Sequence, residues 1–156
     1  MLFRSAAALA VRRGCWEEIG ALDPQFRFYA QDLDFCLRAR QAGWGVEVLA
    51  GFPVLHHHGA TIGRSPGAFA RQQSEILWTD LLRWAYKHQG RRWAGRAATG
   101  LALGGRARLV ARRATGWLAA AARRRALRDE NAALGRAIAA VVAMRRAILA
   151  GAPEPD

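Results

Sequence analysis

A chain of 156 residues, 52% hydrophobic and 23% charged, fits about one packed domain and is too apolar to be disordered. The formal net charge of +12 is confined to one half: residues 1–80 hold 8 basic and 8 acidic side chains, whereas residues 81–156 hold 16 and 4. Cys15 and Cys36 make no metal or disulfide spacing and read as reduced thiols of a cytosolic protein. No secretory signal is expected, because Arg12 and Arg13 close the early apolar run, and no stretch reaches the roughly 20 apolar residues of a membrane span.

In chain order, SAAALAV at 5–11 predicts a buried strand entering a sheet. A short helix follows over Arg12 to Gly20, with Gly20 as its stop. Asp23-Pro24 predicts a turn, and Phe26, Phe28 and Tyr29 cluster just before a second helix from Gln31 to Ala42, closed by Gly43. VEVL at 46–49 and FPVLHH at 52–57 predict two extended strands, and GATIGRSPG at 59–67 a loop.

From Ala68 the pattern turns helical. Ile76, Leu77, Leu81, Trp84 and Ala85 form an apolar stripe, with Asp80, Arg83 and Lys87 on the other side and a break at Gly90. Residues 91–126 predict helix in segments, weakened at Gly95, Gly100, Gly104, Gly105 and Gly116. A last helix over 127–149 carries Leu127, Leu134, Val141 and Ile148 at seven-residue spacing. That stripe suits either self-association as a coiled coil or packing on the chain's own earlier helices. The tail, 151–156, reads as disordered.

Two groups of residues carry chemistry. Asp32 and Asp34 lie in the first turn of the second helix. There a carboxylate stabilises the helix dipole, or, behind an aromatic wall, takes a proton from a substrate. The run His56-His57-His58 at a strand end reads as a surface triplet or as metal ligands. Alternation along a strand puts His56 and His58 on one face.

The order AAALAVRR, WEEIGALDPQF, FYAQDLDFCLRARQAGW and PVLHHHGAT over about residues 5–65 resembles the second half of a family 2 glycosyltransferase with a GT-A fold. It is most similar to rhamnosyltransferase-like members that build bacterial surface polysaccharides. The resemblance implies an α/β, Rossmann-like acceptor half over residues 1–67, followed by a basic α-helical extension over 68–150. It implies an inverting transfer from a nucleotide-sugar donor to a cell-envelope glycan or lipid-linked acceptor. Asp32 would be the general base, with Asp34, Gln31, Tyr29 and Trp44 as acceptor-binding residues. His56, and less so His58, would hold a divalent ion, Mg²⁺ or Mn²⁺, that neutralises the leaving diphosphate.

Two departures stand against that pattern. Gln31 occupies the place of a usual Glu, and the family's nucleotide-binding half with its Asp-x-Asp has no counterpart ahead of Ser5. The chain therefore reads as a truncated piece that transfers no sugar alone, located in the cytoplasm at the inner face of the plasma membrane.

No acidic residue lies between Asp80 and Asp129, where thirteen basic residues interleave with Trp84, Trp93 and Trp117. This half suits a peripheral membrane surface over 76–126, with nucleic acid as the weaker partner and a solvated appendage as the third reading. The rival to the enzyme reading is a non-catalytic helical protein, membrane- or nucleic-acid-binding, that retains a decayed glycosyltransferase remnant.

Overall fold

The computed structural model describes residues 8–49, 51–55, 68–116 and 121–150, with side chains from 75 and 123 onward in the last two segments. The chain divides into two compact units, Met1–His58 and Gly59–Asp156. The loop at 59–67 and the tail at 151–156 lie outside the described residues.

The first unit is built on α1, Arg13–Ile19, and α2, Gln31–Gln41. Helix α1 ends at Gly20, whose amide donates to the Trp16 carbonyl at 3.0 Å. Asp23 makes the expected turn, its Oδ1 accepting from the Gln25 amide at 2.9 Å. Cys15, Phe35 and Ala39 form a small core, flanked by Val11, Ile19, Trp44 and Val46. The Trp16 and Phe35 rings pack tilted, 5.6 Å between centroids.

The expected α/β, GT-A-like fold is not what the chain adopts: among the described residues there is no strand. Residues 8–11, 46–49 and 52–55 have strand composition but no ladder partner; the remainder of the 5–11 and 52–57 predictions lies outside the described residues. A strand exists only when its backbone amides and carbonyls pair with a neighbour, so apolar alternation alone does not make one. Here Val11 and Val46 pack at the edge of the small core while most of the other apolar residues stay in water, Phe52 at 74% and Leu55 at 83% exposure.

The second unit consists of α3, Ala68–Gly116, and α4, Ala121–Ala150. Gly90, at φ 79° and ψ 171°, interrupts α3 as the sequence predicts. That conformation is open almost only to glycine. Gly90→Ala is therefore expected to destabilise this unit by about 1–3 kcal/mol, read as a lowered thermal midpoint in circular dichroism.

Leu82 and Ala85 before the break, Ala94, Ala98 and Ala102 after it, and Val141, Met144 and Ile148 of α4 share one core. The seven-residue stripe of α4 thus packs on the chain's own α3. Alanines four residues apart present a thin face, which lets the helices approach closely. At Gly105 a side-chain β-carbon would lie 2.9 Å from Ile138 Cγ1 and 3.2 Å from Trp78 Cη2, so both arms of α3 and α4 meet at that point.

Two details differ from the sequence reading. Residues 91–116 are continuous helix despite their glycines, because alanine supplies helix propensity and the helix–helix contact supplies stability. The buried leucine is Leu82, with Leu81 exposed, and Asp80 and Arg83 are buried as an ion pair at 3.0 Å. Between the two helices, Arg112 pairs with Glu130 at 2.7 Å and Arg145 Nε donates to Thr99 Oγ1 at 2.8 Å.

Candidate functional site

The first turn of α2 holds most of the candidate residues, and its entry is unusual. Ala30 precedes the helix at φ 65° and ψ 0°, left-handed backbone that costs an alanine about 1 kcal/mol. Its carbonyl still accepts from the Asp34 amide at 2.8 Å, and Gln31 Nε2 donates to the Phe26 carbonyl at 2.7 Å. Gln31 is thus occupied in fixing the approach to the helix. Phe26 is buried beneath this turn, while Tyr29 is half-buried and meets Phe28 edge-on at 5.0 Å.

The two aspartates have different surroundings. Asp34 is fully buried, and its Oδ2 accepts from Arg38 Nε at 2.8 Å. The same guanidinium donates from Nη1 to the Ile19 carbonyl and from Nη2 to the Ala21 carbonyl at 2.8 Å, and it lies over the Phe35 ring at 5.4 Å. The pair therefore fastens α2 to the end of α1. Asp32 is half-buried at the rim, its Oδ1 accepting from the Leu33 amide at 2.9 Å. Of the two carboxylates, Asp32 is the one with surface toward solvent.

Trp44 sits at the other end of α2. Its Nε1 donates to Glu18 Oε2 at 2.9 Å and its ring covers α1 at Gly14. It braces the two helices at a distance from the Asp32 turn, along the length of α2. The structure thus groups Gln31, Asp32 and Asp34 on one turn next to Tyr29, and sets Trp44 apart.

His56, His57 and His58 lie outside the described residues. Among the described residues, no group of three or more His, Cys, Asp and Glu side chains is placed to hold a metal ion. The residues seen here do not form a divalent-cation site. No helix among the described residues is long and apolar enough to cross a membrane.

Both cysteines are free thiols, Cys15 buried and Cys36 half-buried. Burial raises the Cys36 thiol pKa, and the carboxylate of Asp32 and then Cys15 add to the rise. Removing the Asp32 charge lowers that pKa and enlarges the thiolate fraction. Alkylation of Cys36 by iodoacetamide near pH 8 is therefore expected to be slow in the natural chain and faster in Asp32→Asn. Mass spectrometry of the modified peptides checks this, and equal rates would place Asp32 away from the thiol.

Arg38 closes the motif around Asp32 and Asp34 in the sequence, but the sequence reading assigns it no role there. Its spacing of four from Asp34 was the available signal. Nothing in the sequence marks Ala30 as left-handed.

Comparison with known proteins gives a class first: the similarity is to glycosyltransferases. The relatives are the N-acetylglucosaminyl-diphospho-decaprenol L-rhamnosyltransferases of two Mycobacterium tuberculosis strains, CDC 1551 / Oshkosh and ATCC 25618 / H37Rv. Each is 28% identical over 94 residues, covering 53% of this chain and 31% of the relative. The chain spans about a third of the length of the curated relatives it matches. No family model matches it, and no solved structure matches it. The similarity supports a glycosyltransferase relationship.

Proposed function

We infer that this chain contributes the acceptor side of an inverting glycosyltransferase, with Asp32 as the general base. The observation that carries the reading is the division of labour on one helical turn: Asp34 is buried against Arg38, and Asp32 stands at the rim of that braced turn. The similarity to a rhamnosyltransferase supplies the reaction class. The strained backbone at Ala30 lends support, since such strain concentrates at functional turns.

In the reaction, the acceptor O–H loses its proton to the Asp32 carboxylate as its oxygen bonds to the anomeric carbon. The bond from that carbon to the nucleoside diphosphate breaks, and the electron pair leaves with the diphosphate. Attack opposite the leaving group inverts the anomeric centre. A single carboxylate suffices for this step. The named relatives act on a polyprenyl-diphosphate-linked N-acetylglucosamine, so a lipid-linked glycan is the proposed acceptor and a nucleotide-activated deoxyhexose the proposed donor. No step here passes through a metal ion.

The test introduces Asp32→Asn into the native gene and follows labelled sugar transfer in cell extracts, which retain any companion polypeptide. Transfer to polyprenyl-diphosphate-linked N-acetylglucosamine is expected to fall about 10²–10⁴-fold. Transfer equal to that of a strain lacking the gene, with the natural protein present and folded, would remove the transferase reading.

A further inference from the structure

We propose that the outward face of α3 after Gly90 is a docking surface for an anionic lipid bilayer, with the helix lying parallel to the membrane plane. The face is defined by what is buried opposite to it. Ala94, Ala98, Ala102 and Gly105 turn inward to the helical core. Helical periodicity then puts Trp93, Leu103 and Val110 on the outer side, and they are 50%, 58% and 66% exposed. Small residues, Gly100, Gly104 and Ala107, lie between them, so the three large side chains protrude from a shallow surface.

The charge around this strip completes the argument. Arg106 and Arg113 run along one edge and Arg108 along the other, while Arg92 and Arg96 stand among the apolar side chains near Trp93, and all five are exposed. From Leu81 to Arg128 the sequence contains no carboxylate, so the segment supplies no counter-charge of its own. Apolar and tryptophan side chains flanked by arginines, with Arg92 and Arg96 long enough to reach past them to the headgroups, match an interface of acyl chains beneath anionic headgroups. A nucleic acid would pair with the arginines but leave Leu103 and Val110 without a partner, since its phosphates offer no apolar contact. The inference stands independently of sugar transfer, because it uses no residue of the Asp32 turn.

The experiment floats the full chain with vesicles of phosphatidylcholine, alone or mixed with phosphatidylglycerol, across a salt series, with duplex DNA as a parallel arm. Binding is expected only to the mixed vesicles and is expected to weaken with salt. Arg92→Gln with Arg96→Gln should reduce binding about fivefold per arginine. Leu103→Gln with Val110→Gln should reduce it by about tenfold while leaving the helical circular dichroism unchanged, since both positions face water. Three results would each overturn the proposal: no preference for the anionic vesicles, vesicle binding untouched by the Leu103 and Val110 changes, or duplex DNA bound more tightly than vesicles.

Discussion

Asp34→Ala is expected to destabilise the first unit by about 3 kcal/mol, a large share of the 5–15 kcal/mol that holds a small domain together. The carboxylate is fully buried, while the Arg38 side chain it pairs with retains 20% exposure. Deleting the acid leaves a guanidinium whose other described partners, the carbonyls of Ile19 and Ala21 and the Phe35 ring, carry no negative charge. Removing one member of a buried ion pair strands the charge of the other, which costs more than the pair contributed when intact. The low end of the usual range applies because water still reaches part of Arg38. Urea unfolding followed by near-ultraviolet circular dichroism checks it, since Trp16, Phe35 and Trp44 report packing in this unit.

A control lies on α1 of the same unit. Arg13 and Glu17 pair at 2.7 Å with side chains 92% and 61% exposed. Arg13→Ala is expected to change stability by less than about 0.5 kcal/mol, because an exposed pair gains little over its hydrated ions. If both substitutions gave the same small change, Asp34 would not be the internal fastening described here.

These contrasts show which parts of the molecule were legible before coordinates. The ends of α1 and α2 follow from local signals, at Gly20 and at Gly43, because a helix satisfies its hydrogen bonds within its own segment. The VEVL and FPVL segments mislead for the opposite reason. Their composition suits a strand, but pairing depends on a partner that the local sequence does not specify. In α3 the glycines suggested interruptions, yet only Gly90 takes a non-helical conformation. Gly95 and Gly105 instead sit where Leu149 and Ile138 come close, a tertiary reason invisible to propensity.

The site was half legible. The motif order picked out the turn that carries Asp32 and Asp34, and the i, i+4 spacing of Asp34 and Arg38 was in plain view. What the spacing does not reveal is that the arginine continues to carbonyls 17 and 19 residues away. Those contacts turn Asp34 inward, and through them the sequence's paired acids acquire unequal surroundings.

That inequality gives Asp32→Asn its expected signature. The amide has the shape of the carboxylate, and its oxygen can still accept from the Leu33 amide, so the helix start is kept. Loss of the negative charge at a helix N-terminus costs about 0.3–1 kcal/mol, too little to unfold the unit. The amide cannot take up the acceptor's proton, however, so kcat for sugar transfer should drop about 10²–10⁴-fold with donor KM nearly unchanged. Asp34→Asn should behave oppositely, lowering stability and reducing transfer only in proportion to the folded fraction. Double measurement of stability and turnover on the two variants therefore separates a base from a brace. Should Asp32→Asn keep activity within about threefold of the natural protein, its carboxylate would serve the helix start and not proton transfer.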